Sequence, residues 1–196
     1  MKMEIYFNTK NTGKFREISN IFKYYAQDFE LYQISIDVME PQEESLENVA
    51  KIKLSQILNL KDPKLHDKIV FIEDSGLFIN ALNGFPGVFS SYVHKTIRNE
   101  GILKLMENKK DRSAYFKCIS VAFIPKFNKV FLFDGIVNGQ IAFEIRGSNG
   151  FGYDPIFIPN EVSDKTFAEL SIDQKNQISH RGKSIKKFIE FLISNN

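Results

Sequence analysis

Nine residues, Gly147-Ser148-Asn149-Gly150-Phe151-Gly152-Tyr153-Asp154-Pro155, hold three glycines, two aromatics, an Asn and an Asp. Glycine loses more freedom on folding than any other residue, so a cluster of it marks a sharp turn or a close approach. Phe151 and Tyr153 offer flat faces on which a planar heterocycle could stack. Asp154 adds two acceptors, and Pro155 stiffens the exit. The same residues would also suit a glycine-rich hairpin with its aromatics in the core.

Three further polar islands have types suited to phosphate chemistry. Thr9, Lys10, Asn11, Thr12, Gly13 and Lys14 follow a short apolar run and precede a helical pattern. Such a loop can aim backbone N–H groups at an anion, with Lys14 adding a mobile charge. It lacks the glycine spacing of a P-loop, and a helix cap with a solvated lysine is the plain alternative. Glu73-Asp74-Ser75-Gly76 follows the apolar run Ile69-Val70-Phe71-Ile72. Carboxylates there are costly unless paired or metal-bound. With Glu40 from another loop they could hold Mg²⁺, which favours carboxylates and substrate phosphates; an acidic turn ending a strand is the alternative. The last island holds Lys175, His180, Arg181 and Lys183. Its cations could neutralise phosphates, Arg181 could grip a base oxygen, and His180 could donate a hydrogen bond. A solvated basic helix face would look the same. Together the islands supply an anion loop, a carboxylate metal site, a basic clamp and an aromatic platform, the needs of a nucleoside triphosphate with Mg²⁺.

The elements that must carry these islands follow from periodicity. Met3 to Asn8 reads as a first strand, and Phe15, Ile18, Ile21 and Phe22 recur at helical spacing. Leu31 to Ile36 is expected as a second strand. The acidic turn from Glu40 through Glu43 and Glu44 to Ser45 leads into a second helix, its glutamates suiting the helix dipole. Ile69 to Ile72 is a buried strand, with Leu77 to Ala81 a separate short one, and a helix is expected over 97–107. Tyr115 to Ile124 and Val130 to Val137 are long strands. Asn138-Gly139 between apolar runs signals a hairpin, with Ile141 to Ile145 returning. The C-terminus is helical. The pattern predicts an α/β fold with a mixed sheet, in which two lobes flanking a cleft would gather the loops.

Residues 1–196 fit a single domain with two lobes. Basic and acidic residues number 26 and 24, for a net charge of +2, which speaks against a general nucleic-acid or membrane binder. The single cysteine, Cys118, lies in an apolar strand and reads as a small buried residue. No apolar run reaches membrane-spanning length and the N-terminus has no signal-like pattern, so a soluble cytoplasmic protein is expected.

The islands, in this order from Thr9 to Lys183, resemble the inosine/xanthosine triphosphate pyrophosphatase family. The resemblance is carried by Thr-x-Asn-x-x-Lys, Glu-Asp-Ser-Gly-Leu, Gly-Phe-Pro-Gly, Phe-Gly-Tyr-Asp-Pro-Ile-Phe, Thr-Phe-Ala-Glu-Leu and Lys-Asn-x-x-Ser-His-Arg. It implies an elongated two-lobed mixed sheet with flanking helices and a central cleft, a homodimer, and Mg²⁺-dependent hydrolysis of ITP, dITP and XTP to monophosphate and pyrophosphate. By matching position, Thr9 to Lys14 are the triphosphate loop and Asp74 the catalytic carboxylate. Ser75 sits beside Asp74 at the substrate, and Glu40 is a second metal ligand. Phe151, Gly152, Tyr153 and Asp154 hold base and sugar, Lys175 meets phosphate, and His180 with Arg181 reaches the 6-oxo edge. The run 40–45 departs from the common bacterial Glu-Glu-Thr-Gly. Glu43 or Glu44 therefore competes with Glu40, and Lys51 with Lys53 as the helix lysine that meets phosphate. Other readings are a nucleotide-sensing or RNA-binding module without turnover, and a pyrophosphatase for other triphosphates.

Overall fold

A computed structural model describes residues 2–195. Six strands form one open sheet in the order β2-β1-β3-β4-β5-β6. Their ranges are β1 Met3–Asn8, β2 Phe29–Ile34, β3 Ile69–Ile79, β4 Ser113–Ile124, β5 Lys129–Ile141 and β6 Phe157–Pro159. The helices are α1 Thr12–Tyr25, α2 Leu46–Asn59, α3 Ser90–Leu105, α4 Ile172–Ile178 and α5 His180–Ser194. β1 pairs in parallel with β2 and with β3, and β5 pairs antiparallel with β6, so the sheet is mixed as the pattern predicts. Among the described residues no helix is long and apolar enough to cross a membrane.

The chain divides into two compact units, one of Met1–Asp74, Cys118–Asp134 and Ser184–Asn196, the other of Ser75–Lys117 and Gly135–Lys183. Each has its own core. In the first, Ile18, Ile21 and Phe22 of α1 join Phe7, Phe71 and Phe188, the last three in ring contact at 4.5 and 5.2 Å. In the second, Leu77, Ile102, Phe116, Phe157 and Phe167 pack together, again with rings in contact.

Three expectations for the sheet are corrected. The second strand begins and ends two residues earlier than Leu31 to Ile36, at Phe29–Ile34. Glu73-Asp74-Ser75-Gly76 does not end a strand, because β3 runs through it without a break and takes in Leu77 to Ile79 as well. Asn138-Gly139 is not a hairpin, because β5 continues to Ile141 and no strand returns over 141–145. Gly139 is needed for another reason. It pairs with Pro159, and a Cβ there would lie 2.2 Å from the Ile158 carbonyl oxygen. The turn between β4 and β5 falls in the gap expected between the two long strands, at Pro125–Phe127, closed by Asn128 in the left-handed region.

α3 starts earlier than predicted and is kinked. Arg98 has φ 56° and ψ −162°, a region natural to glycine and strained for any residue with a Cβ. That strain costs about 1–3 kcal/mol, and glycine's extra unfolded-state freedom gives back about 0.5–1 kcal/mol. Arg98→Gly is therefore expected to stabilise the protein by about 1 kcal/mol, raising Tm by roughly 2–4 °C. Differential scanning calorimetry reads this directly, and an unchanged or lower Tm contradicts the strain.

Candidate active site

Residues of the first unit build a cluster of alternating charges. The loop after β1 is locked by its own side chains: Thr9 Oγ1 accepts from the Asn11 N–H, and Asn11 Oδ1 caps α1 by accepting from the Lys14 N–H. Asn11 thus has the structural cap role weighed for this island. Lys10 pairs with exposed Asp37. Thr12 and Gly13 form the first turn of α1, where N–H groups and the helix dipole favour an anion. Lys14 is mostly buried. Its Nζ lies 2.8 Å from Glu73 Oε2 and donates to the Glu73 carbonyl at 3.3 Å.

Lys53 joins two carboxylates, with Nζ 2.6 Å from Asp74 Oδ2 and 2.7 Å from Glu40 Oε1. Lys51 is exposed. Glu43 accepts from the Asn48 side chain at the start of α2, and Glu44 is exposed. Glu40 and Lys53 are thus the members of their competing sets that reach Asp74. Desolvation pushes the Asp74 carboxyl above its ordinary range, against the pull of Lys14 and Lys53. At Lys53 burial works against the charge, but Asp74 and Glu40 outweigh it and hold the ammonium above its usual range. Burial thus prevails at one end of the pair and ionic attraction at the other. The Asp74 shift is the more telling, because it survives two neighbouring cations.

Among the described residues no group of three or more His, Cys, Asp and Glu side chains is placed to hold a metal. The donors present still fit Mg²⁺. Glu40 and Asp74 converge on one ammonium, so both lie within reach of a common point. Mg²⁺ typically takes one or two carboxylates and completes its octahedron with water and phosphate oxygens. Glu73 is not one of these donors. It is buried, facing Lys14 on one side, while its Oε1 accepts from Cys118 Sγ at 3.1 Å. Strand alternation carries this separation of Glu73 from Asp74. Reading 73–76 as strand rather than turn is the signal that would have exposed it.

Residues of the second unit build an aromatic and cationic cluster. Gly147, Gly150 and Gly152 all have positive φ, so the loop needs glycine for its path. At Gly150 a Cβ would also lie 2.0 Å from Asp154 Oδ2. That oxygen accepts from the Phe151 N–H at 2.7 Å and from Lys175 Nζ at 2.6 Å. Asp154 and Lys175 form a pair whose side chains are each only 3% exposed. Asp154 therefore folds the loop and anchors Lys175. Phe151 is half-buried, with Lys175 Nζ 5.0 Å and Arg181 Cζ 5.3 Å from its ring centre, both within cation–π range.

Tyr153 does not offer the flat face expected of it. It is 4% exposed, donates its hydroxyl to the Ser90 carbonyl and packs edge-on against His94. Burial pushes its phenol well above the usual range. His180 is buried and lies flat on Phe116, centroids 4.5 Å apart. Arg181 Nη2 donates to Ser75 Oγ at 3.0 Å, which joins the start of α5 to β3. The α4–α5 junction is tight: Ser179 Oγ caps α5 by accepting from the Gly182 N–H, and a Cβ on Gly182 would meet the Asn176 carbonyl at 2.0 Å.

On an α/β sheet, the first cluster has the loop, carboxylates and lysines suited to phosphate chemistry, and the second has a ring and cations suited to a planar ligand. Residues 5–191 match the family model described as the Ham1 family. A protein of Pyrococcus horikoshii named dITP/XTP pyrophosphatase is 48% identical over 193 residues, covering 98% of each chain. One of Thermococcus kodakarensis with the same name is 43% identical, covering 98% of this chain and 99% of that one. The solved structure of the Staphylococcus aureus Ham1 protein superposes with a TM-score of 0.79 at 34% identity, covering 98% of this chain and 100% of the other. The chain belongs to the Ham1 family.

Proposed function

We propose that this chain hydrolyses noncanonical purine nucleoside triphosphates, ITP, dITP and XTP, to the monophosphate and pyrophosphate. The Glu40–Lys53–Asp74 group carries the reading, since it places a carboxylate of raised proton affinity between cations at a donor pair fit for Mg²⁺. The names of the Pyrococcus and Thermococcus relatives support the substrate class. Water attacks the α-phosphorus; the new bond joins its oxygen to that phosphorus, and the bridging bond to the β-phosphate breaks. Asp74 takes the proton of the attacking water, and pyrophosphate leaves with the bridging oxygen. Lys14 and Lys53 neutralise phosphate charge, which is where most catalysis of phosphoryl transfer arises. Glu40 and Asp74 would hold Mg²⁺, which would supply charge neutralisation for the phosphates and a more acidic water. Phe151 gives the base a face, and Arg181 donates to the 6-oxo edge. A 6-amino group would leave that donor unsatisfied, at about 1–3 kcal/mol.

The enzyme works in the cytoplasm as a homodimer, with no nucleic-acid or membrane partner. A triphosphate panel with separate detection of pyrophosphate and orthophosphate tests the reading. Mg²⁺-dependent pyrophosphate release from dITP and XTP, abolished by EDTA and much slower with ATP, is expected. Orthophosphate release moves the cleavage point. Binding of single-stranded RNA in EDTA with no turnover overturns the enzyme. Light scattering on the eluted peak reads the dimer mass.

A further inference from the structure

The kink in α3 has a consequence in the loop at 147–154. Immediately after the strained Arg98, Asn99 turns its side chain onto that loop, and its Nδ2 donates to the Gly152 carbonyl at 3.1 Å. The kink is built into the sequence at a second place. In a regular helix the Cβ atoms of residues four apart are about 5–6 Å from each other. Here a Cβ on Gly101 would lie 2.4 Å from that of Ile97, so only glycine fits.

Asn99 is a poor choice for stability alone. Its Oδ1 is buried and has no hydrogen-bond partner among the described residues. A buried acceptor in that state costs about 1–3 kcal/mol, more than one neutral hydrogen bond returns. Strain at Arg98 and an unsatisfied oxygen at Asn99 are consecutive costs, and strain of this kind persists where the geometry has a use. What the pair achieves is one bond to the carbonyl between Phe151 and Tyr153.

That carbonyl lies between two other fixed points. Asp154 Oδ2 holds the Phe151 N–H, and the Tyr153 hydroxyl is tied to Ser90 near the start of α3. Gly152 itself has φ 65° and no atom within 4 Å of a built Cβ. The Phe151 carbonyl accepts from the Asp154 N–H at 3.3 Å, and the carbonyl of the next peptide, that of Gly152, is the one Asn99 holds. We propose that Asn99 is a positioning residue for the substrate base, fixing the Gly152 carbonyl and thereby the attitude of the Phe151 ring. The proposal rests on the reading of Phe151 as the face that meets the base.

The test uses the full-length enzyme and dITP and dATP as substrates. Asn99→Asp has the same shape but puts acceptors where the donor was, and Asn99→His keeps a ring N–H donor. For Asn99→Asp the KM for dITP is expected to rise about 3- to 10-fold, the span of one neutral hydrogen bond. The preference for dITP over dATP in kcat/KM should shrink by a similar factor. kcat should change little, because the charged group around Asp74 is untouched, and Asn99→His should recover part of the loss. A purely structural role predicts a lower Tm with KM and base preference unchanged. That outcome overturns the proposal, as does wild-type KM and preference in Asn99→Asp. Wild-type turnover of dITP is the control that separates this test from that of the function: if it is absent, the function reading has failed, and if it is present, the variants judge Asn99 alone.

Discussion

Asp74→Asn is expected to slow pyrophosphate release from dITP by about 10²–10⁴-fold, the usual worth of a positioned general base. Asn has the same shape but neither accepts a proton from water nor binds Mg²⁺ well. The fold should remain, because burial already favours a neutral group at this point. Steady-state kinetics at saturating dITP, alongside circular dichroism, check both parts. Near-wild-type turnover removes Asp74 from its role.

The pH behaviour follows from the same shift. The folded Asp74 carboxyl titrates above its ordinary value of 3.8, so the native state holds the proton more tightly than the unfolded chain. Between that ordinary value and the raised one, this group's contribution to stability therefore falls as pH rises. An ordinary ion-paired carboxylate has the opposite slope. Activity runs the other way, since only the ionised form accepts a proton. Urea unfolding of the metal-free protein from acid to neutral pH should show a downward contribution to stability in the wild type that Asp74→Asn removes.

Asp154→Asn is expected to cost about 3–5 kcal/mol of stability, the penalty for leaving one member of a buried ion pair behind. The substitution keeps an acceptor for the Phe151 N–H, so the loss isolates the charge. Lys175, 3% exposed and 2.6 Å from the missing carboxylate, would stay buried without its ion-pair partner. Adding Lys175→Met should restore most of the stability, because a well-packed apolar pair often matches or exceeds a buried ionic one. It should not restore activity if Lys175 meets phosphate. Guanidinium denaturation of the single and double variants gives the coupling. A loss below about 1 kcal/mol for Asp154→Asn would mean the pair behaves like a surface one.

Much of the frame was legible in the sequence. β1 falls where the apolar run puts it, and α1 starts where Asn11 can cap it, since period and capping are local properties of the chain. The polar islands could be found, and their order sufficed for the family resemblance. The two misplaced turns have one cause. Asn138-Gly139 is a strong turn signal, yet β5 passes through it because β6 needs the space a Cβ would fill. Glu73-Asp74-Ser75-Gly76 has turn-like composition, yet ladder pairing and the burial of its neighbours keep it in β3. Local chemistry favours a turn at both places, and a partner distant in sequence overrules it.

The sequence alone therefore determined which residue types were available for chemistry and most of the elements that deliver them, since both depend on neighbours within a few positions. Only the tertiary structure decided their neighbours. It set Glu40 rather than Glu43 or Glu44, and Lys53 rather than Lys51, around Asp74. Glu73 faces Lys14, and Tyr153 lies in the core, leaving Phe151 as the half-exposed ring. It also brought Asn99, which carries no motif, onto the Gly152 carbonyl. A charge or ring takes its role from what lies within a few ångströms of it, and long-range packing sets those neighbours.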